Sequence, residues 1–361
     1  MKILTVAGTR PELIRLSVII EKLDKLVVNN CIDHIFMYTN QNYDYNLSGK
    51  FIDEMQIRMP DYYVKSNSNT TIGSFLSNVI KEFESIIIEE KPDKVLILGD
   101  TNSGLLSIIA EKYSIPILHM EAGNRCYDKR VPEETNRKII DSVATYNLPY
   151  TENSKDNLLR EGFHKNYIFK TGNPIYEVLI ANEDKIHNSN ILNMLSLKEK
   201  NYVLVTAHRA ENVDNFESLN NIITALNKIS ESYKVIFSVH PRTKAKIDKF
   251  DIDVGTNVIM SEPFGFFDFV KLEKNAKCVI SDSGTVIEET SIFNVPSITI
   301  RESTERQELI ECGSTILTGT DTDKIVTTFK LLTNRYYKWE PPKDYLKKDV
   351  SDTVINILLG K

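Results

Sequence analysis

The sequence predicts an α/β protein made of two Rossmann-like domains. Three observations carry that expectation: apolar runs of strand length alternate with helical segments, the runs fall into two series, and 361 residues exceed what one hydrophobic core usually supports.

The first series is ILTVAG, HIFMYT, KVLILGD and PILHMEA. The second is YVLVTAH, KVIFSVH, NVIMSE, KCVISDSG and PSITIRE. Runs this continuously apolar suit parallel strands covered by helices on both faces. A polar stretch around Asn182 to Asn201 carries no strand pattern and separates the two series. We place the domain boundary near Thr171, giving a first domain over 1–171 and a second over 172–344. Val350, Val354, Ile355 and Leu358 recur at helical spacing, so 345–361 reads as a last helix.

Composition narrows the function classes. Hydrophobic and charged residues make up 41% and 26% of the chain, ordinary values for a soluble globular protein. A net charge of -6 offers no field for a nucleic-acid backbone or an anionic membrane. The apolar start is too short for a signal sequence or a span, which predicts a cytoplasmic protein. Cys31, Cys126, Cys278 and Cys312 are widely spaced, with no histidine at zinc-ligand spacing, so neither a structural metal nor a disulfide framework is expected.

A doubly wound fold binds ligands at the carboxyl ends of its strands, and polar residues gather there. Arg10 and Glu12 follow the first run, while Asp100 and Glu121 follow two others. In the second half His208, Asp282 and Ser283, and Arg301 and Glu302 do the same. The first loop, AGTRPELIR, has one glycine where a dinucleotide fingerprint needs three, so no nicotinamide or flavin cofactor is expected. Arg10 there is a fork of donors for an anion, or the partner of a carboxylate at a helix start. Arg15 lies about one turn further along and either adds positive charge or faces solvent.

In ISDSGTVIEET, Ser283 and Gly284 stand where a strand becomes a helix, a place suited to a phosphate. Glu289 is far enough along to reach a ribose hydroxyl, or is a solvated helix-face residue. His208 and Arg209 add two donors after another strand. Asp100, Glu121, Glu133 and Glu134 suit general acid-base work on a sugar, because burial and neighbouring charge can separate their pKa values. The competing reading makes Asp100 a helix cap and Glu133 and Glu134 ordinary first-turn acids.

Taken in order, GTRPE, GDTNS, HMEAGNR, PEETNR, TGNP, AHRAEN, DSGTVIEE and RESTER resemble the non-hydrolysing UDP-N-acetylglucosamine 2-epimerase family. The resemblance implies a glycosyltransferase-B-like arrangement with the active site in the interdomain cleft, a last helix crossing back to the first domain, a homodimer and no cofactor. It implies catalytic roles for Asp100, Glu121, Glu133 and His208, and contacts to the UDP-sugar from Arg10, Arg15, Arg137, Ser283, Gly284, Glu289 and Arg306. The implied reaction inverts carbon 2 of a UDP-N-acetylhexosamine by elimination of UDP and re-addition, for surface polysaccharide precursors.

Three positions depart from the family pattern: Arg15 replaces a lysine, Gln307 a proline, and Ala210 a second arginine. The stretch HMEAGNRCYDKRVPEETNR looks more like the branch that acts on UDP-linked 6-deoxy-N-acetylhexosamines and makes UDP-N-acetyl-L-fucosamine. That branch is the nearest alternative, and a glycosyltransferase of the same architecture a more distant one.

Overall fold

The computed structural model describes residues 1–40, 51–64, 71–335 and 337–360. The chain forms two compact units, one of Met1–Ala181 with Asp344–Lys361 and the other of Asn182–Lys343.

The first unit carries a six-stranded sheet of order β3-β2-β1-β4-β5-β6. Its strands are β1 (Lys2–Ala7), β2 (Asp33–Tyr38), β3 (Tyr62–Tyr63), β4 (Lys94–Leu98), β5 (Ile117–Met120) and β6 (Tyr146–Leu148). Every adjacent pair is parallel. Helices α1 (Arg10–Val28), α2 (Ile72–Glu90), α3 (Ser107–Lys112), α4 (Pro132–Val143), α5 (Glu152–Arg160) and α6 (Ile175–Ala181) surround it. All five β4 residues are buried, which explains why KVLIL is apolar on both faces rather than alternating. Alternate strand residues such as Leu4, Val6, Val95 and Ile97 meet Phe75, Val79 and Phe83 of α2 in one core layer.

The second unit repeats the plan in the order β12-β11-β10-β7-β8-β9. Its strands are β7 (Tyr202–Thr206), β8 (Lys234–Ser238), β9 (Val258–Ser261), β10 (Cys278–Ser281), β11 (Ser297–Thr299) and β12 (Thr315–Leu317). Short helices α7 (Glu183–Asn188) and α8 (Ile191–Met194) occupy the polar stretch before β7. They are followed by α9 (Ala210–Val213), α10 (Phe216–Ser230), α11 (Pro241–Phe250), α12 (Phe266–Asn275), α13 (Gly284–Ile292), α14 (Gln307–Glu311) and α15 (Thr322–Asn334). In each unit the strand order reverses direction beside the first strand, between β1 and β4 and between β7 and β10. Such a switch point opens a crevice at the carboxyl ends of the two strands.

The unit boundary differs from the one expected at Thr171. Residues 172–181 belong to the first unit because α6 buries Ile175 and Val178 and packs on α1. Glu177 of α6 accepts Lys22 Nζ of α1 at 3.3 Å. The final segment rejoins the first unit at Asp344, which accepts Lys170 Nζ at 2.8 Å. The last helix, α16 (Val350–Gly360), buries Val350, Val354, Ile355 and Leu358. It is fastened at both ends: the Ser351 amide donates to Glu177 at 2.9 Å, and the buried Lys94 ammonium donates to the Leu358 carbonyl. A cation at a helix C-terminus also complements its dipole. Among the described residues no helix is long and apolar enough to cross a membrane.

Candidate active site

In the first unit the site residues follow β1, β4 and β5. Thr9 caps α1 in a reciprocal box with Glu12, whose Oε2 accepts the amides of Gly8 at 2.5 Å and Thr9 at 3.0 Å. The loop amides that a phosphate would otherwise use are therefore taken by the chain's own carboxyl group. An anion at this loop relies on the half-buried Arg10 side chain, whose guanidinium lies 4.9 Å from the Phe51 ring centre. Gly8 is required by close approach, since a Cβ there would be driven into Ser103 Oγ.

Asp100 follows β4, yet it caps nothing. Thr101 is the residue at the start of the short 3-10 turn Asn102–Leu106, and its side chain makes no cap bond. The Asp100 carboxylate instead accepts Arg137 Nε at 2.8 Å and Nη2 at 2.5 Å, while the Asp100 carbonyl accepts Asn136 Nδ2 at 3.0 Å. Arg137 comes from α4, is buried, and also pairs with Glu134 at 3.1 Å. Glu134 holds the amide of Cys126 at 3.0 Å as well. Of the two adjacent glutamates, Glu134 is thus committed to structure, whereas Glu133 is half-buried in the first turn of α4.

Glu121 follows β5 with φ of 68°, the left-handed region that a β-carbon makes costly. Its carboxylate accepts Arg15 Nη1 at 2.6 Å and Asn124 Nδ2 at 3.2 Å. Arg15 is buried and does not face solvent. Beneath this loop, His119 Nδ1 lies 2.8 Å from Asp141 Oδ1 and its Nε2 lies 2.9 Å from the Gly99 carbonyl. Burial by itself would raise the Asp141 carboxyl, but bonds from His119 and Arg125 outweigh it and hold that group below the usual range. His119 thereby links the turn before Asp100 to the loop carrying Glu121.

In the second unit Asp282, wholly buried after β10, organises the loop after β7. It accepts the amides of His208 and Arg209, each at 2.9 Å, and Asn212 Nδ2 at 3.1 Å. His208 Nδ1 lies 3.3 Å from Asp282 with the ring 42% exposed, which leaves Nε2 open to a ligand. Ser283 begins α13 without spending its hydroxyl on a cap. A Cβ on Gly284 would come within 3.2 Å of Arg306, so the glycine admits the arginine. Arg306 is buried and pairs with Glu288 at 2.8 Å and Glu305 at 2.6 Å, and Arg301 reaches Glu305 at 3.0 Å. Glu289 is buried further along α13 and is not a solvated helix-face residue. Burial and the neighbouring Glu289 hold the Glu273 carboxyl well above its usual range.

The structure thus brings Arg15 to Glu121, Arg137 to Asp100, and Ser283, Gly284 and Arg306 to one helix start. Sequence reading left out Glu12, His119, Asp141 and Asp282 as holders of these groups. For Glu12 the signal was present, because Thr9-Arg10-Pro11-Glu12 is a capping-box pattern.

Comparison with known proteins defines the class first. A family model described as UDP-N-acetylglucosamine 2-epimerase matches residues 24–359, which makes this two-sheet α/β protein an isomerase of the epimerase type. The UDP-N-acetylglucosamine 2-epimerase of Methanocaldococcus jannaschii is 38% identical over 352 residues, covering 95% of each chain. A crystal structure of the enzyme from that organism, in complex with UDP-GlcNAc and UDP, superposes with a TM-score of 0.93 at 36% identity, covering 100% of both chains. The Rickettsia bellii UDP-N-acetylglucosamine 2-epimerase gives 0.89 at 40% identity, covering 100% of this chain and 96% of that one. The chain belongs to the UDP-N-acetylglucosamine 2-epimerase family.

Proposed function

We propose that the protein interconverts UDP-N-acetylglucosamine and UDP-N-acetylmannosamine by inverting carbon 2. The family match and the UDP-GlcNAc and UDP bound to the M. jannaschii relative support this substrate class. Within the chain, the observation that carries the chemistry is the set of carboxylates after β4 and β5 and at the start of α4, two of them held by buried arginines.

A carboxylate takes the carbon 2 proton as the bond from carbon 1 to the UDP oxygen breaks. The electrons of the carbon–hydrogen bond form a carbon 1–carbon 2 double bond, and UDP keeps the pair of the broken bond. Return of a proton to the opposite face of carbon 2, with UDP re-adding at carbon 1, completes the inversion. Asp100, Glu121 and Glu133 are the acids and bases of these steps. Arg137 and Arg15 keep the first two in place. Arg10, His208 and the start of α13 at Ser283 and Gly284 stabilise the departing diphosphate, and Arg306, paired with Glu288 and Glu305, packs against that helix start. Glu289 takes the ribose hydroxyls. The protein works in the cytoplasm as a homodimer and supplies surface polysaccharide precursors.

Turnover in deuterated water tests the reading. Solvent deuterium should appear at carbon 2 of the epimerised sugar without added cofactor, and retention of the original hydrogen there would sink the elimination route. A panel including UDP-linked 6-deoxy-N-acetylhexosamines decides between this substrate and the N-acetyl-L-fucosamine branch.

A further inference from the structure

Glu12 has no role in the reaction just described, yet it is 3% exposed at the switch point of the first sheet. Its Oε2 is filled by two amides, whereas Oε1 is buried with no standard hydrogen-bond partner. That oxygen points at the turn carrying Asp100, lying 3.9 Å from where a Cβ on Gly99 would stand. The Thr101 hydroxyl in the same turn is likewise buried without a standard partner, and it is near enough to favour the charged form of Glu12.

We propose that Glu12 is a positioning residue of the active site, whose buried carboxyl group ties the Gly8–Arg10 loop to the Gly99–Thr101 turn and so fixes Asp100. The inference rests on the reaction proposed above. The one carboxyl group serves both segments: Oε2 accepts the Gly8 and Thr9 amides, and Oε1 faces the Thr101 hydroxyl of the turn. Burial first, and the charge of Asp100 in addition, push Glu12 up to about 7, against bonds from Thr101, Gly8 and Thr9 that pull it down. The groups facing it are Asp100 on the turn after β4 and Tyr38 on β2, with Arg137 of α4 acting through Asp100. The Tyr38 phenol is raised by burial and by Glu12, so it keeps its proton where Glu12 titrates. Loss of the Glu12 proton puts a second negative charge behind Asp100, and that charge opposes departure of an anionic leaving group.

The test compares kcat for UDP-N-acetylglucosamine across the neutral range in the wild-type chain, Glu12→Gln and Glu12→Ala. The sugar-linked diphosphate has no proton to lose in this range, and all other titratable groups are shared, so the difference between profiles isolates residue 12. Wild-type kcat should fall as pH rises through about 7, and Glu12→Gln, whose amide keeps the same bonds without ionising, should lack that limb. Glu12→Ala should lose about tenfold or more in kcat on the acid side, where Glu12→Gln matches the wild type. Superimposable pH profiles for the wild type and Glu12→Gln overturn the proposal even if Glu12→Ala fails to fold, and so does a Glu12→Ala enzyme with wild-type kcat. A wild-type chain without turnover sinks the functional reading and this inference with it, whereas identical profiles in an active enzyme sink this inference alone.

Discussion

Replacing Glu12 with glutamine should change how stability depends on pH. In the unfolded chain this carboxyl ionises near 4.5, and in the fold burial first pushes it up to about 7. Between those values the folded state holds a proton that the unfolded state has released, so stability falls as pH rises through the window. At about 1.4 kcal/mol per pH unit, the full penalty is roughly 3 kcal/mol, absent below the lower value and complete above the upper one. Glutamine accepts the same two amides and never ionises, so Glu12→Gln should match the wild type in acid and exceed it by roughly that amount above neutrality. Urea unfolding followed by circular dichroism at several pH values measures the difference. The single tryptophan, Trp339, lies in the second unit and donates to the Ser291 carbonyl at 3.1 Å, so its fluorescence reports on that unit and not on the one carrying Glu12. Parallel stability curves for the two proteins would refute the raised carboxyl.

Other substitutions test the remaining groups. Asp100→Asn should lower turnover by about 100-fold. Because Asp100 pairs with the buried Arg137 instead of capping a helix, it should also cost about 1–3 kcal/mol in chemical denaturation. Glu121→Gln and Glu133→Gln should lower turnover by about 100-fold with UDP affinity kept, and near-normal epimerisation in either removes that residue from the acid-base set. Arg10→Ala and His208→Ala should each weaken calorimetric UDP binding by about 1.5–3 kcal/mol, and unchanged affinity would assign both to structure. Gly8→Ala should lose about 1–3 kcal/mol of stability, because its methyl group would displace the Thr39–Ser103 hydroxyl pair, now 2.6 Å apart.

Most of the architecture was legible because parallel strands buried on both faces leave continuous apolar runs. KVLIL and YVLVT announce β4 and β7 without help from their neighbours. Tyr62–Tyr63, Tyr146–Leu148 and Thr315–Leu317 could not be read this way, since two or three residues carry no period and pair only because a longer strand lies alongside. The unit boundary was hidden for a similar reason: the apolar face of α6 shows that it packs, not on which sheet. At the site, position after a strand picked out Asp100, Glu121 and His208. Their partners were not legible, because Arg137 reaches Asp100 across 37 residues and Arg15 reaches Glu121 across 106. Such pairings are set by sheet order rather than by spacing.

The fastening of α16 makes the second unit an insertion within the first. Residues 182–343 are continuous and hold all their own strands, so that unit can fold without any residue outside its span. The first unit is not continuous, although most of it is made earlier. Until residues 344–360 emerge, the face of α1 that α16 covers stays open to water, Glu177 lacks the Ser351 amide, and the Lys94 ammonium has no Leu358 carbonyl to donate to. The unit bearing the carboxylates is therefore sealed only when segments from both sides of residues 182–343 are present, and a chain lacking 344–360 would keep an intact second sheet and an unsealed first one.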